Sequence, residues 1–187
     1  SGICWSSMGI GIRHIEVANV WQILFFRSIA LTPLLLLVLT LRARGNPLPI
    51  IQKAGLAGGV GGISLVFAFS GGILAVQTTS VANAMFLFAA APFFAAVLGW
   101  LLLKEKVRKV TWISMMVALV GIIIMVWEGI SIGRIVGNVA ALISALGFAV
   151  FTISLRWKKL EDMLPTVFLA GLFAIIFAGT LCNIEEY

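Results

Sequence analysis

The chain is dominated by apolar runs about as long as a bilayer is thick. Six complete ones can be drawn, at 18–41, 54–76, 80–103, 110–127, 135–155 and 163–183. A helix needs about 20 mostly apolar residues to cross a hydrocarbon core about 30 Å thick. Backbone amides find no water there, so each run must satisfy its own hydrogen bonds as a helix. Barrel strands are excluded, because they need only about 9–11 residues and alternate in polarity. Composition agrees: 61% of the 187 residues are hydrophobic and 11% are charged, against about 45–50% and 25% in a soluble domain. Charged groups are too few to cover a water-soluble enzyme or binding module, and the apolar runs exclude intrinsic disorder. The expected fold class is all-α, a polytopic transmembrane helix bundle. Residues 1–12 (SGICWSSMGIGI) read as the second half of an earlier span, so a piece of a longer protein is expected.

The charges orient these spans. The connection at 42–53 carries Arg42, Arg44 and Lys53. That at 104–109 carries Lys104, Lys106, Arg108 and Lys109, and that at 156–162 carries Arg156, Lys158 and Lys159. The alternate connections hold only Arg13 and Arg134, and Arg27 lies inside a span. Ten basic residues against two, alternating along the chain, place the three basic loops in the cytoplasm. Gln77, Thr78 and Thr79 then form a tight uncharged turn on the outer side. The net charge of +6 is thereby assigned to loops, and nucleic acid is not an expected partner. Cys4 and Cys182 sit in apolar context as thiols, and no metal-ligand spacing exists; no cofactor is expected. Trp21, Trp100, Trp112, Trp127 and Trp157 lie near span ends, as an interfacial belt. The stretch AGLAGGVGGISLVFAFSGG (54–72) pairs Gly55 with Gly59 and Gly58 with Gly62, and Gly133 pairs with Gly137. Small residues four apart let helices approach closely in lipid.

Three segments together carry a family resemblance: NVWQILFFRSIALTPLLLL (19–37), ILAVQTTSVANAMFLFAAAPFFAAVLGWLLLKEKVRKVTWISMMVALVGIIIMV (73–126) and GNVAALISALGFAVFTISLRWKKLEDMLP (137–165). The most specific order is Ala75, Thr79-Ser80, Ala82 and Ala84, Pro92, Glu105 and Gly121. The pattern resembles the EamA family of the drug/metabolite transporter superfamily. The resemblance implies ten spans in two inverted five-helix repeats. Residues 1–127 would then be most of the first repeat, and 128–187 the truncated start of the second. An odd number of spans per repeat inverts the second, a plan that puts a substrate site near the midplane. The resemblance also implies a secondary transporter of small metabolites, amino-acid-like compounds or drugs, exporting them by alternating access. The expected partners are the lipid bilayer and a small-molecule substrate, with a homodimer as one open assembly. A bacterial inner membrane is the expected location.

Candidate site residues follow from depth and polarity. Arg27 lies nine residues inside its span, about 13 Å from the outer end at 1.5 Å per residue. A charge so deep costs at least ~2.5–3.5 kcal/mol and must face protein or water. It is read as an anion contact or a coupling charge, with bonding to the helix carbonyls of a neighbour as the structural alternative. Asn19 and Gln22 stand above it, on a stripe with Phe26, Ala30 and Pro33 expected to face a cavity or a helix partner. Asn83 offers a deep donor and acceptor. Pro92 cannot donate to the Phe88 carbonyl and should bend its helix, so Asn83, Phe88 and Pro92 are expected at a central cavity. Asn138, Ser144 and Thr152 occupy places comparable to Trp5, Ser6 and Ser7. Substrate contacts are therefore expected from Arg27, Gln22, Asn83, Phe88, Pro92, Asn138 and Ser144. Asn19 and Glu105 are expected to gate or couple.

A membrane-embedded enzyme is the competing class. It would need a nucleophile, base or metal cluster at one membrane face. The chain has one histidine, His14, no HExxH and no paired deep carboxylates. A non-transporting membrane scaffold is the third reading.

Overall fold

The computed structural model describes residues 19–43, 45–105, 108–131, 135–159 and 162–185. They form helices α1 (Val20–Arg42), α2 (Leu48–Thr78), α3 (Val81–Phe88), α4 (Ala91–Leu103), α5 (Lys109–Ser131), α6 (Ile135–Trp157) and α7 (Leu164–Glu185). No strand occurs among the described residues. Among the described residues, five segments are long and apolar enough to cross a membrane: 20–42, 48–78, 81–103, 135–157 and 164–181. In α5 the stretch Lys109–Ile124 is equally apolar.

Two spans differ from expectation. The helix expected from residue 54 begins at Leu48 and is broken at Gly55, whose φ is 48° and ψ −142°. Only glycine adopts such a backbone without strain. Residues 48–54 are therefore a separate helical turn rather than part of an open loop. The span expected as one bent helix, 80–103, is two helices joined by a turn at Ala89–Ala90. Pro92 lies in the first turn of α4, where a missing amide hydrogen leaves nothing unsatisfied. The proline thus starts a new helix instead of bending a continuous one. At its far end α4 closes on Lys104 in the left-handed region, φ 54°. The Lys104 and Glu105 amides both donate to the Gly99 carbonyl, closing the helix end over this left-handed residue.

Large apolar side chains point outward: Phe26, Leu34, Leu56, Phe67, Val117 and Ile176 are all exposed, while Ala57, Ala84, Ala141 and Ala178 are fully buried. Hydrocarbon solvates the outer face, and small residues set the distance between backbones.

The chain divides into two compact units. In the unit formed by residues 19–70 and 150–187, α1 and α7 pack side by side. An added Cβ at Gly179 would meet the Phe25 ring, and one at Gly171 would collide with Thr32. Arg42 donates to Asp162 at 3.1 Å. The pairs 25/179, 32/171 and 42/162 define antiparallel helices. The ion pair is exposed on both sides, so it contributes only about 0.2–1 kcal/mol; its value is positional. It joins two basic connections assigned to one side of the membrane. Helix α2 runs parallel to α7, since Gly58 faces Leu169 and Thr166 while Gly62 faces Ala170 and Phe173. The Gly58/Gly62 pair thus makes the expected close contact. Gly55 and Gly59 have nothing within 4 Å and serve no packing role.

In the unit holding residues 71–149, α2 and α6 are antiparallel. Gly71 faces the Ala140 carbonyl and the Ser144 amide, and Gly137 faces Thr78 and Thr79. The end of α2 therefore adjoins the start of α6, as two connections on the outer side require. Trp100 and Trp112 meet edge to face, 5.5 Å between centroids, across the basic connection at 104–109. Gly133 lies outside the described residues.

Candidate functional site

Each compact unit holds one group of the expected residues. In the first, Arg27 sits on α1 with its guanidinium carbon 3.8 Å from the centre of the Phe69 ring on α2. Such a cation–π contact contributes about 0.5–2 kcal/mol, more when desolvated. The Arg27 Nη1 atom is buried and has no hydrogen-bond partner among the described residues. Beside it lies a cavity of about 50 Å³, lined by Arg27, Ser28, Phe69 and the small residues Ala170, Gly171 and Ala174, with Leu31, Leu35 and Val167. The spans that form it, α1, α2 and α7, contain no Asp or Glu between residues 20 and 78 or between 164 and 184. These three spans therefore supply the cation with no carboxylate at its own depth. The volume holds a few water-sized groups and is far below the ~300–1,000 Å³ of a pocket for a drug-sized ligand.

The stripe expected to face inward on α1 does not. Phe26 is 70% exposed, and Ala30 and Pro33 are exposed too. The buried face is Leu24, Ser28, Thr32 and Leu39. In lipid an apolar side chain loses nothing by facing outward, whereas small Ser and Thr side chains let a neighbouring helix come close, as Thr32 does at Gly171. Two small hydroxyls four residues apart were the better signal. Asn19 and Gln22 build the start of α1: the Asn19 amide donates to Gln22 Oε1 at 3.2 Å, one half of a capping box, which satisfies an amide outside the helix ladder. Asn19 is exposed and Gln22 half-buried.

In the second unit, Asn83 and Asn138 are brought together. Asn83 Nδ2 donates to Asn138 Oδ1 and, at 3.2 Å, to Thr79 Oγ1. The Asn83 amide donates to the Ser80 hydroxyl, which caps α3. Asn138 is only 1% exposed, and its Nδ2 has no partner among the described residues. Phe88 and Ser144 meet around Gly72, where an added Cβ would lie 3.4 Å from each. Pro92 is exposed, away from such packing. Glu105 is half-buried just past the end of α4, and Thr152 is exposed. Trp5, Ser6, Ser7 and His14 lie outside the described residues. Sequence reasoning missed Phe69, 42 positions from Arg27, and the fully buried Thr166, whose hydroxyl has no partner in the protein.

The amide pair makes a direct prediction. Asn83→Ala leaves Asn138 with neither of its polar ends bonded, costing about 1–3 kcal/mol. Asn83→Ala/Asn138→Ala should recover part of that loss, giving a coupling of about 0.6–1.7 kcal/mol. Thermal unfolding of the full-length protein in detergent, run as a double-mutant cycle, measures it. Strictly additive losses would mean that the two amides do not depend on each other.

Residues 1–127 match the EamA-like transporter family. The chain belongs to that family. It is an integral, multi-pass membrane protein of the drug/metabolite transporter kind. Comparison with curated proteins and with solved structures finds no match. Among the described residues, no three His, Cys, Asp or Glu side chains group to hold a metal ion. The EamA assignment agrees with the helices, whose exposed side chains include many large apolar ones such as Leu34, Phe67 and Ile176.

Proposed function

We propose that this EamA-family chain is part of a secondary transporter that exports small metabolites, amino-acid-like compounds or drugs across a bacterial inner membrane. The family match over residues 1–127 carries the reading. The helix directions within each unit support it, because they agree with alternate crossing of the bilayer. Residues 1–127 form the first five-helix repeat and 128–187 open the second, inverted one. Substrate is held near the midplane, and one bundle rocks against the other to expose it alternately. Within one unit Arg27 offers a polar contact, and within the other Asn83, Asn138 and Ser144, with Phe88, offer polar and aromatic ones. Gln22 lies in the first turn of α1, which carries Arg27, and Pro92 in the first turn of α4, while Asn19 and Glu105 stand at helix ends and are assigned to gating.

The test is reconstitution of the full-length protein in proteoliposomes, followed by a screen of labelled small metabolites. At least one should be transported faster than in protein-free vesicles and show saturation. Flux no higher than in empty vesicles across the whole panel would contradict the proposal and favour a scaffold.

A further inference from the structure

A deep arginine in this chain meets an aromatic ring and a small cavity, and no acidic side chain lies in the spans around it. We infer that Arg27 and this cavity form a subsite for the carboxylate of an anionic or zwitterionic substrate; this rests on the transporter reading above. Three observations converge on it. Arg27 Nη1 is buried and has no hydrogen-bond partner among the described residues. Phe69 covers the guanidinium at 3.8 Å, leaving the remaining directions for a ligand. Ser28, Ala170 and Gly171 line the cavity with small side chains, and Ser28 brings a hydroxyl that can donate.

Charge and size select the ligand class. A buried cation is stabilised when an opposite charge joins it by hydrogen bonds, and it is costly when left alone. Arginine presents donors in a planar fork that matches a carboxylate. A single positive charge balances a single negative one. A phosphate would bring up to a second charge with no basic partner among the cavity-lining residues, at a penalty magnified by the low dielectric. The volume of about 50 Å³ admits a carboxylate and leaves the rest of the molecule outside. The apolar lining from Leu31 and Val167 favours a head group attached to a carbon chain over a hydrated free ion.

The experiment uses the full-length protein in detergent and reads thermal unfolding with four probes at matched ionic strength. These are propionate, hexanoate and the primary amide of each; chloride and inorganic phosphate are added as separate arms. Both carboxylates should raise the unfolding midpoint with concentration, while their amides do not. Arg27→Gln should weaken the apparent affinity about tenfold or more, as expected for losing a hydrogen bond to a charged group. Arg27→Lys, which keeps the charge, should retain a weaker response and shows that the site tolerates substitution. Equal responses to acid and amide, or a full response in Arg27→Gln, would overturn the assignment. So would chloride or phosphate acting as strongly as the carboxylates. Flux measured in vesicles separates the two ideas. A protein that transports but ignores carboxylates defeats only the subsite, whereas one with no flux for any metabolite defeats the transporter reading.

Discussion

Gly71→Ala should lower the unfolding midpoint of the full-length protein, while Gly59→Ala should leave it unchanged or raise it. Both glycines lie within α2, where alanine is intrinsically better by about 0.8–1.0 kcal/mol. At Gly59 an added Cβ meets nothing within 4 Å, so the propensity gain is free to appear. At Gly71 it would sit 2.8 Å from the Ala140 carbonyl oxygen and 3.2 Å from the Ser144 amide nitrogen. Both are backbone atoms of α6, so no rotamer change relieves the clash and the helices must separate. Overpacking of this kind costs about 1–3 kcal/mol, occasionally more. It also opens the contacts that Gly72 makes possible with Phe88 and Ser144. The two substitutions are identical in chemistry, and opposite signs would locate the close approach. A midpoint for Gly71→Ala that is unchanged or raised, like that of Gly59→Ala, would show that α2 and α6 do not meet at Gly71.

Arg27→Ala should abolish or re-specify transport without impairing membrane insertion. Placing an arginine near the bilayer centre costs at least ~2.5–3.5 kcal/mol on insertion scales. Removing it relieves that cost, at the expense of the contact with Phe69. Insertion and yield should therefore hold or improve, while flux falls by about tenfold or more. A purely structural arginine predicts the reverse, with yield and unfolding temperature dropping together. Flux in proteoliposomes and yield from membranes, measured on the same preparations, separate the two. Normal flux in the mutant would remove Arg27 from the site.

Much of this architecture was legible from the residues alone, for a physical reason. Span length follows from bilayer thickness, and side follows from where Lys and Arg lie, so the helices and their alternate directions could be read off. The contacts 42/162 and 79/137 agree with that alternation. Gly58 and Gly62 were legible as a close contact because small residues four apart have few other uses in lipid. Gly55 and Gly59 show the same spacing and pack against nothing, because spacing does not say which side of a helix has a neighbour.

What stayed hidden was which face looks inward. Around α1 the apolar character hardly varies, since both lipid and protein neighbours accept Leu and Phe. Asn19, Gln22 and Phe26 therefore suggested an inward stripe, while Ser28 and Thr32 in fact lie buried. The first two are occupied at the helix start, where an unladdered amide needs an acceptor. Pro92 correctly marked an irregularity in its span. The interruption itself fell at Ala89–Ala90, because a proline is accommodated at the first turn of a new helix. The Arg27–Phe69 contact carries no local signal, since a ring under a cation depends on how two distant helices meet.

Single-cysteine labelling tests the alternating crossing most directly. Thr78→Cys and Lys158→Cys would be introduced separately into a cysteine-free full-length protein in intact cells, and treated with a membrane-impermeant thiol reagent. Position 78 should label from outside, and position 158 only after the membrane is permeabilised. Labelling of both from the same side would contradict the account.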